Sequence, residues 1–460
     1  MSIDLSCILP VSPAEAWRYF AAPGAFRRLS PPFMPLRPVS EADSLRDGTA
    51  VLEPRTALPG PLGTRFGPRW HARHDPERYL EGERFVDRCV SQPYAAATGW
   101  VHTHTVTAGP DGTTLLGDRV EARVPERMLT PVFAYRYRQM AADLDRIAEY
   151  GAQAGRALTV AVTGASGLVG TALTALLGVA GHHVIRLVRG STSGADERHW
   201  DPSDPAPDLL EGVDALVHLA GASIAGRFTD QHLAKVRDSR IGPTRRLAEL
   251  VATSGGATTM VCASAVGFYG ADRGDEPLTE TADRGTGPLA DIVTDWELAC
   301  EPARRSGARV VTVRTGIVQS GAGGMLPPLA AITRSGLGGR LGSGRQWMSW
   351  IALDDLTDIY LRAIADPKLS GVVNATAPQP VTNSEYTRVL GSVLRRPTLV
   401  PVPRWAPGLL LGPQGSDELA LADQLVLPSI LTEVGHSFRY PELRAALEHE
   451  LGAETVPTGL

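Results

Sequence analysis

Lysine is nearly absent from this 460-residue chain: only Lys235 and Lys368 stand among its 45 basic residues. Any mechanism that needs an ammonium group therefore has two positions to draw on. Asparagine is as scarce, with only Asn374 and Asn383. The four cysteines, Cys7, Cys89, Cys262 and Cys300, are far apart and form no CxxC pair. That argues against a disulfide framework or a thiolate zinc site, and for a reducing compartment. Basic excess is missing too. The formal charge is −5, and residues 1–156 balance 19 arginines against 18 acids, so nothing gathers phosphates along a nucleic acid. No apolar run is long enough to cross a bilayer; the longest candidate, Leu168 to Gly181, is broken by Gly170, Thr171 and Thr174. The first residues carry Asp4 and lack a basic n-region and a long apolar stretch, unlike a signal peptide. The expectation is a soluble cytoplasmic protein with neither nucleic-acid nor membrane partners.

Two textures meet near residue 155. Before it, alternating segments such as Arg84 to Val90 and Leu115 to Val124 are separated by Gly, Pro and Asp turns, which predicts antiparallel strands. A helix is expected from about Pro131, suited to a first turn, to Tyr150, with Phe133, Tyr137, Met140, Leu144 and Ile147 at spacings of three and four. This predicts an α+β domain over 1–150, followed by a linker over 151–157. From Leu158 the pattern becomes β–α–β: Leu158 to Val162, His183 to Val188, Asp214 to Leu219, Thr259 to Ala263 and Arg309 to Val313 read as strands with helices between them. That order predicts a parallel, doubly wound α/β sheet of Rossmann type over 158–396. A Pro- and Leu-rich region over 397–460 ends in a short helix, Pro441 to Leu451.

The first of these β–α junctions is Thr163-Gly-Ala-Ser-Gly-Leu-Val-Gly170. Gly164 and Gly167 allow a tight turn and close backbone approach to a pyrophosphate. Gly170 lets the helix pack on the sheet, and the helix N-terminus supplies amide donors. The strand–turn–helix context makes this a dinucleotide site. The second strand ends Arg186-Leu-Val-Arg-Gly190, without the acid that holds the ribose hydroxyls of NAD. Arg189 stands there instead, suited to a 2′-phosphate or simply solvated. The expected cofactor is NADP(H) rather than NAD(H).

Several further motifs carry a family resemblance. Together with the glycine turn, Trp200-Asp-Pro202, His218-Leu-Ala-Gly221, Ser239-Arg-Ile-Gly242, Ser264-Ala-Val-Gly-Phe-Tyr-Gly270, Arg314-Thr-Gly316, Gly342 to Ile351 and Asn374 to Pro378 are similar to the atypical extended short-chain dehydrogenases of the epimerase-family group. Pro397 to about Leu451 resembles that group's small C-terminal domain. Residues 1 to about 150 resemble the START-like (SRPBCC) helix-grip fold, including Trp70 to His74 and Trp100 to His104. The resemblance implies an extended Rossmann fold in which Gly164, Ser166, Gly167, Leu168 and Val169 line the pyrophosphate. Arg189 would face the 2′-phosphate, and Leu219, Ala220 and Gly221 would run under the riboses. A helix-grip domain would imply a cavity for an apolar or amphipathic small molecule.

Ordinary members of the wider dehydrogenase group use a Ser/Thr with a Tyr-x-x-x-Lys, the lysine lowering the tyrosine's pKa. Ser264 matches the first. In the helix Pro288 to Glu297, however, Leu289 and Val293 occupy the tyrosine and lysine positions. Gln231 and Ile364 precede the two lysines by four, so the motif occurs nowhere in the chain. Two replacements are open. Tyr269 supplies either a phenol to the substrate or a packing group; Asp291 is either an acid or a charge complement to its helix. Arg345 and Trp347, in a glycine-rich loop, either contact a substrate or face solvent. His71, His74, His102 and His104 invite a metal reading. Only His102 and His104 share a strand face, and no carboxylate or cysteine stands at fixed spacing. They are expected to be polar lining of a cavity, with no metal. The combined expectation is an NADP(H)-dependent oxidoreductase or epimerase-like enzyme acting on a small carbonyl or hydroxyl substrate through Ser264 and Tyr269. The alternative is an NADP(H)-binding sensor or small-molecule-binding protein without turnover.

Overall fold

The computed structural model describes residues 2–55, 58–59, 65–253 and 258–455. The chain divides into two compact units, the first built mainly from Met1–Glu149 and the second from Tyr150–Thr174 and His182–Glu448.

In the first unit, strands β1 (Ser2–Leu9), β2 (Leu36–Ser40), β3 (Thr49–Pro54), β4 (Trp70–His74), β5 (Arg84–Cys89), β6 (Val101–Ala108) and β7 (Thr114–Glu121) form one antiparallel sheet in the order β1-β7-β6-β5-β4-β3-β2. Residues alternate between buried and exposed along β7, as expected for a sheet with one covered face. Helix α1 (Pro13–Ala21) opens with a capping box: Ser12 accepts from the Glu15 amide while Glu15 reaches back to the Ser12 amide. The long helix α2 runs Glu126–Ala154. It begins a turn earlier than the sequence suggested, so Pro131 lies inside it, and it continues through residues 151–154 of the expected linker. The reason is local: Glu126 to Thr130 are themselves competent helix formers, and Glu126 suits the positive end of the helix.

The second unit holds a parallel sheet. Strands β8 (Thr159–Thr163), β9 (His183–Val188), β10 (Glu197–His199), β11 (Ala215–His218), β12 (Thr259–Ala265), β13 (Val310–Thr315) and β14 (Gly371–Ala375) stand in the order β10-β9-β8-β11-β12-β13-β14. Its central strands are almost fully buried, because helices cover both faces. Ile185, Trp200, Leu216, Leu247, Met260 and Trp296 belong to one core cluster. Helix α3 (Leu168–Val179) follows β8, and α4 (Pro288–Leu298) follows the segment after β12. Asp423–Val426, from the C-terminal region, pairs in parallel with Asp272–Leu278. The strand order reverses between β8 and β11, and ligands of such sheets bind at the carboxyl edge of that switch point. Among the described residues no helix is long and apolar enough to cross a membrane.

Candidate functional site

Strand register gathers the expected cofactor residues at this edge. Thr163 pairs with Leu187 of β9 and with His218 of β11. Arg189 and the Leu219–Gly221 turn therefore emerge beside the glycine turn. His218 pairs with Cys262, so Ser264 follows two residues later on β12.

The glycines are required by close backbone packing. Gly164 has φ of +69°, and a Cβ on it would lie 2.9 Å from the Ala220 nitrogen. A Cβ on Gly170 would lie 2.2 Å from the Gly164 carbonyl oxygen. Gly167 donates its amide to that same carbonyl at 2.9 Å. Ser166 and Gly167 are exposed, while Leu168 and Val169 are half-buried. Thr163 fixes the opposing turn: its hydroxyl oxygen accepts from the amides of Leu219 (3.1 Å) and Ala220 (3.2 Å). Its proton then points to His218 Nδ1, 2.7 Å away. Burial and the nearby Arg240 push the His218 pKa down to about 4, so the ring is neutral and accepts that proton. Arg240 is itself buried without a carboxylate partner among the described residues; its guanidinium packs 5.0 Å from the Trp296 ring and lies 2.9 Å from where a Cβ on Gly221 would be. The cradle thus fits a dinucleotide: close backbone, amide donors, and Arg189, exposed and without a salt bridge among the described residues.

The expected catalytic pair is not brought together as a pair. Ser264 is 4% exposed, and its hydroxyl donates to Glu297 Oε1 at 2.6 Å. Glu297 is clamped by Arg314 Nε and Nη2, each at 2.8 Å. Arg314 also donates to the Tyr269 hydroxyl (3.0 Å) and lies 3.4 Å from the Phe268 ring centroid. Tyr269 is fully buried, and its hydroxyl donates towards Asn374 Oδ1 (2.8 Å) and the Thr279 carbonyl (3.0 Å). Burial raises its pKa. The phenol that the sequence offered either to a substrate or to packing is thus held within the protein, its proton shared between Asn374 and the Thr279 carbonyl and one lone pair taken by Arg314. Glu297 and Arg314, which the structure joins to Ser264, were not singled out from the sequence, although Arg314 stood in a noted motif and Glu297 ended a noted helix.

Of the expected substrate contacts, Asp291 and Trp347 have partners within the protein. Asp291, exposed in the first turn of α4, forms an ion pair with Arg284. The Trp347 indole donates to Asp275 (2.6 Å), and its amide donates to Asp423 (2.7 Å). Arg345 is exposed on its loop. Leu289 and Val293, where a tyrosine and lysine would stand, are buried and pack towards Gly267. In the first unit His74 bonds the Ser44 carbonyl through Nδ1 at 2.6 Å and packs on Phe85, while His71 is half-buried; neither joins the close pair formed by His102 and His104. The latter two are buried among aromatic rings instead of lining open space, with Phe85 stacked on His104 at 4.0 Å.

Comparison with known proteins gives this geometry a context. The NAD dependent epimerase/dehydratase family matches residues 160–375, and a domain of unknown function, DUF1731, matches residues 402–450. The epimerase family protein Mb2239 of Mycobacterium bovis is 46% identical over 291 residues, which are 63% of this chain and 96% of that protein. A solved nucleoside-diphosphate sugar epimerase from Corynebacterium glutamicum is 44% identical, with a TM-score of 0.86 over 99% of this chain and 91% of that one. The human epimerase family protein SDR39U1, solved with NADPH, is 31% identical, with a TM-score of 0.59 over 64% of this chain and 99% of that one.

Proposed function

The chain belongs to the NAD dependent epimerase/dehydratase family, and on that basis we propose that it is an NADP(H)-dependent oxidoreductase or epimerase-like enzyme acting on a small carbonyl or hydroxyl substrate. The observation that carries the reading is the cradle in which Gly164 meets the Leu219–Ala220 backbone with Arg189 beside it and no acid at the end of β9. The relative solved with NADPH supports the same preference.

When bound, the nicotinamide supplies a hydride acceptor or donor. The chain's own contribution is proton handling. With no Tyr-x-x-x-Lys, Ser264 orients the substrate oxygen, and Glu297 is the carboxylate placed to take the proton that Ser264 passes on. In the oxidative direction the substrate hydroxyl proton moves to Ser264 Oγ as the serine proton moves to Glu297 Oε1; reduction reverses both transfers. Arg314 holds the carboxylate in place. The seven antiparallel strands and the long helix α2 support a helix-grip assignment for the first unit, with a small-molecule ligand as its partner.

A second reading has its own support: Leu289 and Val293 put apolar carbons where proton chemistry usually sits, which suits an NADP(H)-binding sensor. Calorimetric titration of the full chain with NADPH and NADH, followed by hydride loss across a broad carbonyl panel, separates the readings. NADPH binding with turnover is expected. Binding without turnover on any carbonyl favours the sensor, and failure of both dinucleotides to bind at millimolar concentration overturns both.

A further inference from the structure

We infer that the first unit holds a divalent first-row transition-metal site formed by Asp87, His102 and His104, with Asp118 orienting both imidazoles. The residues come from three adjacent strands. In the antiparallel register Asp87 faces His102 across β5 and β6, and His104 faces Asp118 across β6 and β7. All four side chains are buried or nearly so.

The two rings lie with centroids 3.8 Å apart, between two carboxylates. On one side Asp118 Oδ1 is 2.7 Å from His102 Nε2 and 3.0 Å from His104 Nδ1. On the other, Asp87 Oδ2 is 3.4 Å from His102 Nδ1 and 3.3 Å from His104 Nε2. Four nitrogens thus approach carboxylate oxygens, but two neutral imidazoles own only two N–H groups. His104 Nδ1 is buried without an aligned hydrogen bond although it stands 3.0 Å from Asp118 Oδ1; with both protons turned to Asp118, in place of the His104 Nε2–Asp87 hydrogen bond, two nitrogen lone pairs and the Asp87 carboxylate face one another within 4.8 Å. The Asp87 oxygen stands 3.4 Å and 3.3 Å from the two nitrogens, as neighbouring donor atoms do around a tetrahedral ion with bonds of about 2.0–2.2 Å.

Charge points the same way. Asp87 and Asp118 bring two negative charges into the interior, and no arginine or lysine among the described residues lies within 4.0 Å of either. A dication cancels both while the imidazoles stay neutral, the form in which they ligate. The surroundings fix the donors: the Trp100 indole donates to Asp87 Oδ1 at 3.1 Å, Phe85 stacks on His104, and Phe133 sets its edge against His102 at 5.4 Å. The buried Tyr137 hydroxyl faces Asp118, and burial together with that charge pushes the phenol's pKa up. An orienting carboxylate on the far nitrogens of metal-bound histidines is the usual outer layer of such sites, and two histidines with one carboxylate suit iron(II) or zinc(II).

The test uses the full chain, stripped with chelator and titrated with zinc(II) by calorimetry and with cobalt(II) by absorption. One equivalent per chain is expected, with cobalt giving the visible bands of low-coordinate nitrogen–oxygen ligation and paramagnetically shifted signals from two imidazole N–H protons. His102→Ala should abolish stoichiometric binding, and Asp118→Asn should weaken it by about 10- to 100-fold. Wild-type chain that takes up no stoichiometric metal, its quartet balanced by protons alone, overturns the inference. So does cobalt binding without shifted imidazole signals, a measurement that needs no variant to fold.

Discussion

The Ser264 hydroxyl donates to Glu297 at 2.6 Å, so the serine of this site is coupled to a carboxylate and not to a tyrosine. Through Glu297 it joins Arg314, whose guanidinium is almost completely enclosed. Removing the charge at Glu297 leaves that cation buried and unpaired. Glu297→Gln is therefore expected to destabilise the second unit by about 3–5 kcal/mol, and Ser264→Ala by about 1.5–3 kcal/mol. Adding Arg314→Met to Glu297→Gln should recover part of the loss. Urea unfolding of wild type, Glu297→Gln, Arg314→Met and the double variant checks this, and strictly additive effects would show that the pair is not coupled.

Tyr269 separates packing from chemistry. Its hydroxyl is shared by Arg314, Asn374 and the Thr279 carbonyl. Tyr269→Phe should cost about 1–3 kcal/mol of stability and leave NADPH affinity unchanged. A variant of wild-type stability whose turnover falls would return the phenol to the reaction.

The parallel sheet, the glycine turn and the absence of Tyr-x-x-x-Lys were legible in the sequence because each is written in consecutive residues. The partners of Ser264 were not: Glu297 lies 33 residues further along, and only the return of α4 over β12 brings the two together. The histidines show the same limit more sharply. His102 and His104 declared a common strand face, but the carboxylates that complete their cluster sit on neighbouring strands at register positions that no local spacing encodes. Pro131 misled in the opposite sense, since a residue suited to a first turn is also tolerated where tertiary packing extends the helix past it.

At the end of β9, Arg189 is exposed and without a salt bridge among the described residues. If it contacts the 2′-phosphate, Arg189→Ala should weaken NADPH by at least about tenfold, equivalent to about 1.4 kcal/mol, with NADH affinity unchanged. Equal losses for the two cofactors, measured by calorimetry, would remove the arginine from cofactor selection.

Two glycines offer a controlled test of the cradle. Gly170 has the Gly164 carbonyl where its Cβ would be, whereas nothing lies within 4 Å of a Cβ on Gly190. Gly170→Ala forces the turn apart, at a cost of about 1–3 kcal/mol, and should weaken NADPH by at least about tenfold. Gly190→Ala should leave both stability and affinity near wild type. Thermal unfolding and cofactor titration read the two effects separately; a Gly170→Ala chain that binds normally would show that the turn can open at no cost.

His218 makes the same cradle sensitive to acid. Its folded pKa of about 4 lies below its ordinary value of 6.5 because burial and Arg240 disfavour the charged ring. Between those two values the unfolded chain binds a proton that the folded chain refuses. Stability therefore rises with pH across this window, is complete above about 6.5, and is lost as pH falls towards 4. The full effect is on the order of 3 kcal/mol. Protonation at Nδ1 also ends the acceptance of the Thr163 proton, and Thr163 is the group that holds the Leu219 and Ala220 amides. NADPH affinity, a property of the folded chain, should fall only as pH approaches 4, where the folded ring takes up its proton, and His218→Gln should flatten both profiles while other acid-sensitive groups continue to titrate. Urea unfolding and cofactor titration at a series of pH values test this, and a His218→Gln chain that keeps the wild-type slope between pH 4 and 6.5 would assign the acid response to another residue.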